Sequence, residues 1–202
     1  MKILAIADIE EPRFWEHWNQ GRTQDIDLII SCGDLNPAYL EFLVTMTNRQ
    51  LLYVRGNHDT RYDERPPEGA ICIEDQVYDH NGLRILGLGG SMRYRQGKDM
   101  YTEAEMRRRV WKAGRAIRRA GGIDILVTHA PAKGYGDLSD LAHTGFDVFN
   151  SLLEKRQPEY MLHGHVHKNY ERIRGEITHP SGTRIINAYG HRVIEIPDQT
   201  IQ

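Results

Sequence analysis

Five short apolar runs, each stopping on a residue able to bind a metal ion, constrain this chain more than any other feature. Lys2 to Ala7 ends at Asp8, and Asp27 to Cys32 ends at Gly33-Asp34. Leu51 to Val54 leads into Gly56-Asn57-His58-Asp59, and Asp124 to Thr128 ends at His129. Tyr160 to Leu162 ends in His163-Gly164-His165-Val166-His167. Continuous apolar runs of this length, partly β-branched, read as strands buried on both faces. In sheets with helical crossovers, ligands gather outside the carboxyl ends of the strands. One such ending can be a plain turn, because Gly-Asn and His-Asp are ordinary loop residues. A lone histidine, likewise, is more often a hydrogen-bonded structural residue. Five endings of one kind argue for a shared site.

The intervening segments carry helix signals. Pro12 suits the first turn of a short helix, Arg13 to Asn19, packing through Phe14, Trp15 and Trp18. Asn36 followed by Pro37 opens a second helix, running to about Asn48. Thr102 and Glu105 form a capping box for the longest helix, Glu103 to about Ala120, whose Met106, Val110, Ala113 and Ile117 recur at helical spacing. A further helix spans about Phe146 to Lys155. Ile71 to Ile73, Gln76 to His80 and Leu83 to Leu88 read as short strands, with Asn81-Gly82 as a type I′ hairpin turn. The tail alternates in short strands, with turns at Gly175 and Gly182 and a last run from Arg192 to Ile196.

The 202 residues, 40% hydrophobic and 27% charged, fit a single globular domain over 1–202 with a sizeable core. No apolar run approaches the ~20 residues of a membrane span, and the N-terminal run is too short for a secretory signal. Cys32 and Cys72 make no disulfide framework, so a cytoplasmic protein without membrane contact is expected. The formal net charge of -2 exerts no global pull on nucleic acid. Ten histidines are the compositional oddity.

Carboxylate and imidazole groups at strand ends suit divalent ions such as manganese, iron or zinc, and the cysteine count excludes thiolate sites. No Ser or Cys nucleophile stands there. Two divalent ions about 4 Å apart stabilise attacking and leaving oxygens together and activate a water, so no protein nucleophile is required. They also reverse the negative charge of Asp8, Glu10 and Asp34, which alone repels a phosphate.

The set Asp8-x-Glu10, Gly33-Asp34, Gly56-Asn57-His58-Asp59, His129 and Gly164-His165-x-His167 resembles the calcineurin-like metallophosphoesterases, most closely the small bacterial single-domain members. Four of the five motifs match in type, order and approximate spacing. The resemblance implies an α/β fold, a four-layer αββα sandwich of two mixed sheets flanked by helices. It implies two divalent metal ions, manganese first, with iron, zinc or nickel as alternatives. Asp34 then bridges the pair. Asp8, the residue at 10 and His167 complete one site, and Asn57, His129 and His165 the other. His58 matches the histidine that protonates or stabilises the leaving oxygen, with Asp59 orienting it. One motif departs: the family has Asp-x-His where this chain has Asp8-Ile9-Glu10. Glu10 has the reach to ligate a hard ion but lowers the positive charge of the pair.

The expected substrate is a small phosphate ester, a phosphodiester or nucleotide ester rather than a phosphoprotein. Arg107, Arg108, Arg109, Lys112, Arg115, Arg118 and Arg119 give the long helix a basic face. It is read as a solvated face, with nucleic acid the less favoured partner. Loop 89–101, with Arg93, Tyr94, Arg95 and Lys98, either reaches over the metals or is a surface connection. Two alternatives remain: a nuclease using the basic helix, and a catalytically silent scaffold of the same fold, such as the retromer subunit. Retention of His58 with Asn57, His129 and His165 disfavours the scaffold. The sequence carries no signal for oligomeric state.

Overall fold

The computed structural model describes residues 1–167 and 175–197. In chain order the elements are β1 (Lys2–Ala7), β2 (Leu28–Ser31), α1 (Pro37–Thr47), β3 (Gln50–Tyr53), β4 (Ala70–Cys72), β5 (Val77–His80) and β6 (Leu83–Leu88). There follow β7 (Ser91–Met92), β8 (Met100–Tyr101), α2 (Glu103–Arg119), β9 (Ile125–Thr128), α3 (Asp147–Arg156), β10 (Tyr160–His163), β11 (Glu176–Thr178), β12 (Arg184–Asn187) and β13 (Gly190–Glu195). One sheet has the order β13-β1-β2-β3-β4 and the other β11-β12-β10-β9-β6-β5. In the first, β1 to β4 are parallel and β13 is antiparallel to β1. In the second, the parallel strands β12, β10, β9 and β6 are edged by the antiparallel β11 and β5.

Strand alternation builds the layers. Ile3, Ala5 and Ala7 of β1 point between the sheets, where they meet Leu52, Ile85, Ile125, Val127 and Leu162. Leu4 and Ile6 point the other way, onto Tyr39, Leu40 and Leu43 of α1. On the far side, Leu86, Leu126 and Met161 pack against Met106, Ala113 and Ile117 of α2 and Phe149 and Leu153 of α3. The result is helix, sheet, sheet, helix, the four-layer sandwich that the family resemblance implies.

The Thr102–Glu105 capping box forms as expected, while α3 has no cap of its own. Instead Glu103 of α2 accepts the Asp147 and Val148 N–H groups at 3.0 and 2.8 Å, tying the two helices together. Asn81 and Gly82 both adopt positive φ, as a type I′ turn requires. Two readings need correction. No helix runs from Arg13 to Asn19. Two 3-10 turns, Pro12–Phe14 and Gln20–Arg22, stand there, because Asn19 turns its side chain onto Gly21 N at 2.9 Å and caps a new turn. The aromatics still pack, Trp15 and Trp18 both edge-on to Phe42. Within loop 89–101, read from the sequence as irregular, β7 and β8 pair.

Candidate metal centre

Asp8, Asp34 and Asn57 follow β1, β2 and β3 of the first sheet, and His129, His165 and His167 follow β9 and β10 of the second. They meet across the seam. The ligand atoms of Asp34, His129 and His165 lie within 4.8 Å of one another. His129 Nε2 is 3.3 Å from Asp34 Oδ2 and 3.2 Å from Asn57 Oδ1. The Asp8 carboxylate accepts the His165 N–H at 2.9 and 3.1 Å, and His167 Nε2 comes to 4.0 Å of it.

The backbone is bent to make this possible. Asp8, Asp34 and His165 all adopt left-handed φ, of 65°, 57° and 67°. Such strain in non-glycine residues clusters at functional sites. Gly56 permits the closest approach, because a Cβ there would sit 2.0 Å from Asp34 Oδ1 and 2.7 Å from His129 Cε1. At Gly164 a Cβ would meet Asp8 Oδ2 at 2.6 Å.

The outer nitrogens of both buried imidazoles are committed. His129 Nδ1–H donates to the Cys32 carbonyl at 2.8 Å, and His165 Nε2–H donates to the Ala142 carbonyl at 2.7 Å. These partners leave His129 Nε2 and His165 Nδ1 as lone pairs for a metal. His129 Nε2, Asp34 Oδ2 and Asn57 Oδ1 are then three acceptors gathered at hydrogen-bond distance, and only a cation satisfies them together. Without a metal that cation is a proton. Burial disfavours a charged His129, but the Asp34 carboxylate beside it wins and holds its pKa up to about 10. Burial likewise works to raise Asp34, and His129 outweighs it, bringing Asp34 down to about 2. Asp8 is pushed up to about 7 by burial, with the negative charges of Asp34 and Asp59 adding. His165 is driven down to about 3, by burial first and the His129 charge second. A site that holds one proton between paired acceptors suits a divalent ion of hard or borderline character.

The remaining expected residues fall on both sides of this cluster. His58 donates its backbone N–H to Asp34 Oδ1 at 2.8 Å and is itself exposed. No hydrogen bond joins Asp59 to the His58 ring among the described residues. The buried Asp59 Oδ2 accepts the Asp34 and Gly56 N–H groups at 2.8 and 2.7 Å, so it clasps the two ligand turns together. A carboxylate so placed satisfies backbone donors that no strand partner reaches. Glu10 is exposed, and like Asp8 and His167 it is not one of the three residues of the Asp34–His129–His165 cluster. Its neighbour Glu11 turns to His191 Nδ1 at 2.5 Å.

Two residues without motif context also arrive here. His143 places its ring 5.4 Å from that of His165 and bonds Asp140 at 2.8 Å, and Tyr189 lies 4.7 Å from the His167 ring. The only sequence signal for His143 is its place in the glycine-rich loop after His129.

Behind Asn57 lies a supporting ion pair. Glu74 accepts Arg55 N at 2.8 Å and Gly89 N at 3.3 Å and pairs with Arg109. Arg109 reaches Asp75 at 2.8 Å and the Gly89 carbonyl at 2.6 Å, and lies over the Tyr101 ring. It is therefore half-buried and engaged, not part of a solvated helix face. Two basic groups of loop 89–101 are similarly engaged, Arg93 with Glu105 and Lys98 with Asp63. Arg55 ties the same region to Asp63 at 2.7 Å.

The chain belongs to the calcineurin-like phosphoesterase family, whose pattern matches residues 1–169. The Asp34–His129–His165 cluster accords with a metal-dependent phosphoesterase. The chain is 25% identical over 197 residues to the UPF0046 protein K07C11.7 of Caenorhabditis elegans, across 84% of this chain and 64% of that one. It thus spans less than two thirds of that relative. An uncharacterized protein of Haemophilus influenzae is 24% identical, over 74% of this chain and 76% of its own. In fold, the chain is similar to TT1561 of Thermus thermophilus, with a TM-score of 0.62 at 14% identity, over 94% of this chain and 89% of that one. No helix among the described residues is long and apolar enough to cross a membrane.

Proposed function

We propose that this protein hydrolyses a small phosphate ester, a phosphodiester or nucleotide ester in preference to a phosphoprotein, with two divalent ions of which manganese suits the donors best. The observation that carries the reading is the gathering of His129 Nε2, Asp34 Oδ2 and Asn57 Oδ1 at hydrogen-bond distance, with His165 beside them, around a position that holds a cation. Asn57, His129 and His165 would hold one ion, Asp8 and His167 the other, and Asp34 would stand between them. Glu10 is the carboxylate within sequence reach of the second set. Such ions, when bound, supply Lewis acidity and an activated water.

The chain's own residues do the rest. Asp59 fixes the Gly33-Asp34 and Gly56-Asn57 turns, so Asp34 and Asn57 need no rearrangement to bind. The Cys32 and Ala142 carbonyls set the histidine tautomers. His58, anchored by its backbone to Asp34 and itself exposed, is placed to give a proton to the leaving oxygen. The nuclease alternative is less favoured, because Arg107, Lys112, Arg115 and Arg118 of α2 line a groove with α3 that contains none of the metal-centre residues.

The test is Asp34→Asn, with elemental analysis and a screen of mono- and diesters in added manganese. Hydrolysis and stoichiometric metal should both disappear. Retention of two metals by the variant refutes the bridging role, and an inactive wild-type protein loaded with two metals refutes hydrolysis.

A further inference from the structure

The outer surface between α2 and α3 forms a groove of about 580 Å³, remote in its lining from the metal centre. Arg107, Lys112, Arg115 and Arg118 of α2 and Lys155 and Arg156 of α3 line it, and no carboxylate does. Arg107 has Glu103 at 3.7 Å, whereas the other five make no ion pair among the described residues. The floor is aliphatic, built from Val110, Ile117, Val148 and Leu152. At the rim Trp111 is 80% exposed, the most exposed large hydrophobic among the described residues. Trp111 thus supplies a large exposed aromatic at the edge of a groove otherwise walled by cations.

Gly114 sharpens the case. It lies in the interior of α2 and in the groove lining, where glycine weakens a helix more than any residue but proline. A Cβ there would meet only Arg118 Nη1, at an ordinary contact distance of 3.8 Å. Nothing inside the protein demands a glycine at this place. Its effect is to keep the groove open to close approach from outside, as small residues do where two helices pack tightly.

We propose that this groove docks an acidic amphipathic helix of a partner protein. Its carboxylates face the five unpaired cations, its apolar stripe lies on Val110 and Leu152, its backbone approaches at Gly114, and Trp111 anchors one end. Trp and Arg are the residues that dominate binding energy at protein interfaces, and helix-in-groove docking uses an apolar floor of this kind. A nucleic-acid strand fits less well. Phosphates gain nothing from an aliphatic floor, one aromatic stacks one base, and the chain's net charge of -2 supplies no long-range attraction.

The probe is a synthetic helix of about five turns, with leucines at i, i+3, i+4 and i+7 and glutamates elsewhere. It is compared, by fluorescence anisotropy on the full chain, with a scrambled peptide of identical composition and with an oligo-thymidine strand. The patterned peptide should bind at least ~10-fold more tightly than the scramble. Trp111→Ala, Gly114→Leu and the pair Arg115→Glu/Arg118→Glu should each weaken it by ~10-fold or more. Gly114→Ala should raise the melting temperature by ~2–4 °C. Phosphoesterase activity should be unchanged in all of these variants, and their melting temperatures report that they fold. Equal binding of patterned and scrambled peptides, or no binding of either, overturns the proposal. So does tighter, Trp111-dependent binding of oligo-thymidine, which makes the groove a nucleic-acid site. Self-association lost on Arg115→Glu, without peptide binding, makes the occupant a second copy of this chain.

Discussion

Removing the Glu74 carboxylate separates support of the site from its chemistry. Glu74 touches no metal-centre side chain, yet it holds the backbone of Arg55, two residues before Asn57. Deleting one member of a buried ion pair costs about 3–5 kcal/mol, mostly through the charge left behind. Arg109 is only 11% exposed, but it keeps Asp75, the Gly89 carbonyl and the Tyr101 face, which places the electrostatic loss near ~3 kcal/mol. The Arg55 and Gly89 N–H groups lose their acceptor as well, bringing the cost of Glu74→Ala to about 4 kcal/mol. At ~2–4 °C per kcal/mol for a chain of this size, the melting temperature should fall by ~8–16 °C. Glu74→Gln, which keeps an acceptor, should lose about half as much. Adding Arg109→Met to Glu74→Gln should cost less than the sum of the two single changes by ~1 kcal/mol or more, because the stranded charge goes too. Urea unfolding gives the stabilities, and manganese titration at low denaturant should show weaker metal binding in Glu74→Ala. A loss below ~1 kcal/mol with strict additivity would show the pair to be an ordinary surface bridge and refute the reasoning.

His58→Ala should cut turnover by ~100-fold or more with metal content unchanged, and the loss should shrink for esters with good leaving groups. An equal loss for p-nitrophenyl and alkyl esters removes His58 from leaving-group protonation. Metal uptake should release a proton, because Asp34 keeps the His129 imidazole protonated up to about pH 10 in the metal-free protein. Raising the pH from 7 to 9 removes that competitor progressively, so affinity should rise about tenfold per unit. Binding enthalpies independent of the buffer's ionisation heat would contradict this. If Glu10 ligates, Glu10→His should shift the acidic limb of the pH–rate profile down and favour monoesters over diesters. With two metals retained, an unchanged limb and ester preference would show that Glu10 is not a ligand.

What was legible in the sequence is what is local. Ile3 to Ala7 announces a buried strand by composition alone, and Thr102 with Glu105 announces a helix start, because strand pleat and helix cap are satisfied within a few residues. The ligand types at the strand ends were readable for the same reason. What escaped depends on partners distant in the chain. Arg109 looks like one more surface arginine until Glu74, 35 positions away, comes beside it. Asp59 sits next to His58 in sequence, but its acceptor role is set by Asp34 N, 25 positions upstream. His143 has no motif at all and reaches His165 only through the fold of its loop. The stretch 12–22 failed differently. Its aromatic spacing fits a helix, but three-residue turns can present the same rings to Phe42.

The strand that covers β1 at the edge of the first sheet comes late in the chain. β13 pairs with β1 along its whole length, from Lys2 opposite Glu195 to Ala7 opposite Gly190, and Met1 and Ile196 exchange hydrogen bonds at 3.0 and 2.8 Å. During synthesis, therefore, β1 emerges long before its partner and keeps one edge open until nearly two hundred residues have followed it. That edge is a run of apolar residues with unpaired backbone groups, the kind that recruits other chains. The nascent protein should depend on holding this edge apart from its neighbours until the ribosome has released the residues around 196, and a message cut short before them should yield aggregates rather than a smaller folded domain.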